Sequence, residues 1–300
     1  MKTRIVQNEP NDPPPGEVSV TTSPSRHAAA STPTNGGNRF RAFVRRYELV
    51  IFFALSYLIA WSTIPFGSFL AFAPLVSALV VVLIAEGLPG LARLGRRLIR
   101  WRVNWIWYAA AITLPLLVHA VAIGLNMAAG ASAPSLAQFQ PWYTVLLVFA
   151  LRIVNPTDGP LGEEPAWRGF AQPRLQSKWS PLLSAAVLGL LITGWHLPLI
   201  FMPQFDLGLP DIATTAVVTF WYAWLFNRTG GSVLLPLIAH VTEGSVKTQA
   251  LWSAGPAADR LAWMWLISWA LLVVALLIFD RKSWRVAPES AIDRVPGRVS

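Results

Sequence analysis

Residues 161–170 read Leu-Gly-Glu-Glu-Pro-Ala-Trp-Arg-Gly-Phe and place two carboxylates and an arginine between long apolar segments. Glu163 and Glu164 are the only adjacent acidic pair in the chain. Ionisable groups in or beside a membrane span are costly unless they are paired, so they usually mark functional sites. The stretch therefore indicates a polar site inside a helical membrane protein.

The composition supports the membrane class. Of the 300 residues, 54% are hydrophobic and only 13% are charged, whereas about a quarter are charged in a typical soluble domain. The mean hydropathy is +0.48. The chain has no cysteine, which excludes disulfides, thiolate zinc sites and cysteine nucleophiles.

The net charge of +9 does not indicate a nucleic-acid partner. The basic residues cluster in short segments between apolar spans, as the positive-inside rule expects, and they form no basic face interleaved with aromatics. We therefore expect membrane lipids as partners and no nucleic acid. The same charge distribution predicts that both termini lie in the cytoplasm. We expect a multi-pass protein of the plasma membrane.

Apolar segments long enough to cross a bilayer as helices recur along the chain. We predict an all-α protein of about eight transmembrane helices, in a domain covering residues 39–282. Residues 1–38 are predicted to be a disordered cytosolic tail because they are rich in Pro, Ser, Thr, Asn and Gly. Residues 283–300 are predicted to be a second cytosolic tail. The predicted spans are 47–66, 69–85, 105–127, one beginning near Trp142, 181–200, 211–227, 231–250 and 261–279. Between the second and third spans, residues 91–102 are predicted to form an arginine-rich amphipathic helix on the membrane surface.

A cluster of helix breakers, Asn155-Pro156-Thr157-Asp158-Gly159-Pro160, interrupts the fourth span. Irregular backbone at membrane depth is tolerated where it lines protein or a wet cavity. We place Pro165 in the first turn of a new helix. On that helix Glu164 and Arg168 stand at i and i+4 and pair, whereas Glu163 points about 100° away and faces a cavity. The alternative is that the two glutamates only cap a helix N-terminus.

Two histidines downstream also lie in apolar surroundings, His196 and His240. His196 alone would be interpreted as a hydrogen-bonded core residue, and His240 lies mid-span, where a solvated role is not expected. Together with Glu163 they form a Glu/His/His set that either binds zinc or positions a water without a metal. Glu243 and Lys247 are expected to form an i,i+4 ion pair. Arg152, within the fourth span, either snorkels or pairs.

These residues resemble the CAAX-protease and bacteriocin-processing (Abi) family of intramembrane proteases. The resemblance rests on Glu163-Glu164-x-x-x-Arg168, on His196 at the end of one span and on His240 in a later span. It extends over 162–170, 173–176, Trp195-His196-Leu197-Pro198 and 227–232, and it covers roughly residues 45–280.

The resemblance implies an endopeptidase with an active site open to the cytoplasm and a membrane-associated or prenyl/CAAX-like peptide as substrate. Glu163 would be the general base for a water that His196 helps to hold, and His240 would stabilise the oxyanion. Glu164 and Arg168 would fix the helix. The motifs leave open whether a metal takes part; a divalent ion such as zinc would have Glu163, His196 and His240 as ligands.

Two positions differ from the family pattern. Ile192 stands where a phenylalanine is usual, and Gly244 stands where the family usually has an asparagine that would donate to the oxyanion. Gly244 is compatible with a slow enzyme, with a variant that uses another donor, or with an inactive relative. The alternative function is therefore a catalytically impaired family member that acts as a membrane binding, immunity or scaffold protein. A transporter using Glu163 as a proton relay is a third hypothesis, but no internal repeat supports it.

Overall fold

A computed structural model describes residues 35–246, 248–252 and 254–292. Within these ranges the protein contains α-helices and short 3₁₀ and π turns but no strand, and it is 78% helical. This confirms the all-α prediction. The α-helices are α1 (Asn35–Arg46), α2 (Glu48–Trp61), α3 (Ala73–Glu86), α4 (Leu88–Leu98), α5 (Trp105–Ala128), α6 (Tyr143–Val154), α7 (Gly159–Ala166), α8 (Gln172–Gln176), α9 (Pro181–His196), α10 (Leu209–Arg228), α11 (Leu234–Ser245) and α12 (Pro256–Phe279).

Four helical segments of the described chain are long and apolar enough to cross a membrane. They are Glu48–Phe66, Trp105–Ala128, Pro181–Phe201 and Pro256–Phe279. Two further predicted spans correspond to the shorter apolar helices α3 and α6. The protein is therefore a multi-pass membrane protein, while the count of eight spans stays a prediction. Most of the predicted tail at 1–38 lies outside the described residues, and α1 begins inside it at Asn35. In the second tail, 293–300 lie outside them.

Two groups of helices form most of the core in the described residues. In the first, α2, α3 and α9 surround Trp167, which is fully buried. The Phe53 ring stacks on Trp167 at 5.9 Å between centroids, and the Phe52 and Trp195 rings meet it edge-on at 5.5 and 5.7 Å. In the second group, α10 packs between α9 and α12, and α5 packs on both α11 and α12. The segment 159–176 lies against both groups, because α7 contacts α3 and α11.

The arginine-rich helix differs from the prediction. It spans Leu88–Leu98 rather than 91–102, and it is not only a surface element. Arg97 is 8% exposed and donates to the carbonyl oxygen of Gly169 at 3.1 Å, and Arg93 pairs with Glu86. Arg174 also pairs with Glu86, and with Glu48 at 3.1 Å. These contacts join α2, α3 and α4 to α8, so Glu48 and Glu86 have structural partners.

Candidate active site

The predicted break in the fourth span is present, but Pro165 does not lie where we expected. Helix α6 ends at Val154, and α7 begins at Gly159 with Asp158 as its N-cap and Pro160 in its first turn. Pro165 is therefore inside α7, and placing it in the first turn was wrong. Proline has no N–H to donate to the preceding turn. A π-helical turn, Trp167–Ala171, begins two residues after Pro165, and such turns are frequent at functional sites.

Glu163 is buried in α7 and lines a cavity. Its Oε2 accepts a hydrogen bond from Trp167 Nε1 at 3.3 Å, one helical turn away. Its Oε1 has no hydrogen-bond partner among the described residues. Because Trp167 is fixed by the aromatic core, it orients the Glu163 carboxylate and leaves one oxygen available for a ligand.

Glu164 is fully buried and contacts two side chains, Arg168 and His240. Its Oε1 accepts from Arg168 Nη1 at 3.2 Å, so the predicted i,i+4 pair is present. The same oxygen lies 2.9 Å from His240 Nδ1. A carboxylate can only accept, so Nδ1 of His240 carries a proton and Nε2 is left for the cavity. We did not predict this contact, which brings Glu164 into the site through His240.

His196 is the last residue of α9. Its Nδ1 lies 2.9 Å from the carbonyl oxygen of Ile192, one turn earlier. Because a carbonyl oxygen can only accept, Nδ1 carries a proton, and when the ring is neutral Nε2 carries a lone pair. His196 can therefore accept a hydrogen bond from a water in the cavity.

The cavity unites the predicted residues of three separate segments. It has a volume of about 230 Å³, and its lining includes Glu163, Glu164, Arg168, His196 and His240. The Glu163 carboxylate, the His196 imidazole and the Glu164-bound His240 imidazole thus face one space. If Glu163 and Glu164 only capped a helix N-terminus, His196 and His240 would not have to face the same cavity. The capping alternative therefore explains the arrangement less well than a functional site does.

Helix α10 supplies a wall of the cavity that we did not predict. Thr215, Thr219 and Tyr222 line it. They follow i, i+4 and i+7 spacing, which places them on one helical face, so a polar stripe on this helix was visible in the sequence. Tyr222 stacks on His240 with ring centroids 5.4 Å apart, and the Arg168 guanidinium lies over the Tyr222 ring, 4.9 Å from its centroid.

The second half of α11 is held by side chains that we had left unassigned. Tyr222 donates to the Glu243 carboxylate. His119 Nε2 lies 3.0 Å from the Glu243 carbonyl oxygen, and Arg152 donates to the Gly244 carbonyl oxygen at 2.8 Å. The expected partner of Glu243, Lys247, lies outside the described residues. Arg152 pairs rather than snorkels.

The donor set does not show a metal site. In the part of the chain that the structure describes, no three His, Asp or Glu side chains are placed to hold one ion. Arg168 and His240 both contact Oε1 of Glu164, and Trp167 contacts Oε2 of Glu163. Zinc binding by Glu163, His196 and His240 stays a prediction.

Close backbone packing sets the position of Glu163, and Gly162 permits it. A Cβ at Gly162 would lie 2.7 Å from the Pro156 carbonyl oxygen and 2.8 Å from Phe72 Cα. Both contacts are backbone atoms, so α7 itself would have to move. We expect Gly162→Ala to lower the free energy of unfolding by about 1–3 kcal/mol and to reduce the activity of any reaction at Glu163. The measurement is thermal unfolding in detergent together with activity.

Gly124→Ala is the matched control, because Gly124 lies inside α5 with nothing within 4 Å of its added Cβ. That variant should gain up to about 1 kcal/mol from helix propensity. Equal stability of the two variants would contradict the packing argument.

The comparison with known families agrees with the motifs. The family model described as Rce1-like, type II CAAX prenyl endopeptidase Rce1-like, matches residues 138–243. None of the curated proteins matches the chain. The matched segment contains Glu163, Glu164, Arg168, His196 and His240, and it confirms the resemblance to the CAAX-protease family. A membrane endopeptidase is the kind of function that it supports.

Proposed function

We propose that this protein is an intramembrane endopeptidase that hydrolyses a peptide bond with a water activated by Glu163. The observation that carries the proposal is the cavity in which Glu163, His196 and His240 meet. The substrate class is a membrane-associated peptide, including prenyl/CAAX-like ones, and the partners are that substrate and membrane lipids. The location is the plasma membrane, with both termini in the cytoplasm.

The free oxygen of Glu163 accepts a proton from the attacking water as the water oxygen bonds to the substrate carbonyl carbon. Nε2 of His196 accepts a hydrogen bond from the second O–H of that water and so orients the water. Glu163 then gives its proton to the leaving amine when the C–N bond breaks. A carboxylate held in a site with little water is suited to this base role.

His240 stabilises the oxyanion that forms on the carbonyl oxygen. Glu164 Oε1 lies 2.9 Å from Nδ1 of His240, which keeps a proton on Nδ1 and favours a positive charge on the ring. The Nε2–H of the charged imidazole then donates to the oxyanion, and such a bond is strong where water is scarce. Arg168 balances the charge of Glu164.

The test is digestion of a membrane-peptide library, prenylated and unprenylated, by detergent-purified protein. We expect the wild type to cleave at least one member, and His240→Ala to lower kcat by about 10²–10³-fold through loss of one oxyanion donor. Mass spectrometry of the products identifies the cut. An unchanged kcat in His240→Ala would contradict the role of His240.

Gly244 favours a second candidate, a catalytically impaired relative that binds a membrane partner as an immunity or scaffold protein. The family usually has an asparagine at this position as an oxyanion donor, and glycine has no side chain that could donate. If the wild type cleaved no member of the library, this second candidate would replace the first.

A further inference from the structure

The space beside Gly244 is filled by the side chain of Arg152. A Cβ built on Gly244 would lie 2.7 Å from Arg152 Cζ and 2.7 and 2.8 Å from its two terminal nitrogens. These distances are shorter than real Cβ contacts allow, so any side chain at position 244 would displace the guanidinium. Glycine at 244 and arginine at 152 are therefore parts of one arrangement.

The Arg152 guanidinium joins the two helices that carry the site. Nη1 donates to the Gly244 carbonyl oxygen at 2.8 Å, on α11, one turn after His240. Nη2 lies 3.2 Å from Asp158 Oδ1, and Asp158 is the N-cap of α7, which carries Glu163. One side chain on α6 thus holds the end of α11 against the start of α7.

The end of α11 requires such a partner. The last four carbonyl groups of a helix have no intrahelical donor, and the C-terminal end carries a partial negative charge. Gly244 lies within this last turn, as does Glu243, whose carbonyl oxygen faces His119. A guanidinium satisfies the Gly244 carbonyl and complements the helix dipole, and its remaining N–H groups can still pair with Asp158.

We propose that Arg152 is a positioning residue of this site, which takes the space of a side chain at 244 and keeps His240 in register with Glu163. Arg152 does not line the cavity, so it acts through the two helices and not on the substrate. Its effect on hydrolysis rests on the proposed function, whereas its coupling to Gly244 does not.

The proposal predicts the kinetics of three variants. Arg152→Met should lower kcat by about 10- to 100-fold, as expected for a displacement of about 1 Å between catalytic groups. KM should change by less than about twofold, since binding in the cavity is untouched. Arg152→Lys keeps the charge but cannot form the bidentate contacts of a guanidinium, so its kcat should lie between those of Arg152→Met and the wild type. Gly244→Asn should reduce activity, because its Cβ displaces the guanidinium.

Arg228→Met is the matched control, because Arg228 also pairs with an aspartate, Asp280 at 3.5 Å, but lies 43% exposed and away from the cavity. Its activity should equal that of the wild type. A Gly244→Asn variant that is faster than the wild type would overturn the proposal. So would an Arg152→Met variant with unchanged kcat.

A thermal double-mutant cycle tests the coupling without any activity. Arg152→Met and Gly244→Ala should each lower Tm in detergent by about 2–4 °C, and the double variant should lose no more than either single one, since both break the same contacts. Additive shifts would overturn the proposal. If the coupling is found but the wild type cleaves nothing, the arrangement of Arg152 stands and the proposed function fails.

Discussion

Replacing Glu163 by glutamine is expected to lower kcat for peptide hydrolysis by about 10²–10⁴-fold, the usual contribution of a general base. Glutamine has nearly the same shape and can still accept a hydrogen bond from Trp167, which lies 3.3 Å from Oε2 in the wild type. It cannot take a proton from water. The fold should therefore persist while the chemical step is lost. The measurement is kcat on a cleaved library peptide, with Tm recorded for the same sample.

Asp259→Asn is a suitable control for this experiment, because Asp259 is an exposed carboxylate on α12 outside the cavity lining. Its kcat should match that of the wild type. If Glu163→Gln kept more than about a tenth of the wild-type rate, Glu163 would not be the general base.

Replacing Glu164 by alanine is expected to lower the free energy of unfolding by about 3–5 kcal/mol, because it breaks a buried ion pair and leaves the other charge without a partner. Arg168 is only 2% exposed, and two of its nitrogens already lack hydrogen-bond partners. The change also removes the acceptor of His240 Nδ1, so kcat should fall together with stability. Denaturant or thermal unfolding in detergent measures the first effect, and library cleavage measures the second.

Arg228→Ala provides the comparison for an exposed pair, in which the partner Asp280 is 25% exposed. Pairs of this kind contribute less than about 1 kcal/mol. If Glu164→Ala were as stable as Arg228→Ala, the buried contacts of Glu164 would not stabilise the fold as expected.

The features that local spacing determines could be predicted from the sequence. Hydropathy indicated a helical membrane protein, and four segments of the described chain are long and apolar enough to span a membrane. The i,i+4 spacing of Glu164 and Arg168 predicted their contact, because neighbours on one helical face are fixed by helix geometry. The breakers at 155–160 predicted the interruption, although Pro165 lies inside the new helix.

Contacts between distant segments could not be predicted in the same way. His240 and Glu164 are 76 residues apart, and neither helical period nor charge spacing relates them. Arg152 and Gly244 are 92 residues apart. In the sequence, Gly244 shows only that a side chain is absent. The structure shows that the Arg152 guanidinium fills the space where that side chain would lie. The motif resemblance named the residues of the site, while the structure supplies the partners that orient them.

In the proposed reaction, hydrolysis takes place between Glu163 and His240. This location is tested most directly by the structure of the protein bound to a phosphinic analogue of a cleaved peptide, which mimics the tetrahedral intermediate. We predict that one phosphinyl oxygen lies within hydrogen-bond distance of Glu163 and the other within hydrogen-bond distance of His240 Nε2. An analogue bound outside this cavity, or bound in it without contact to either residue, would contradict the account.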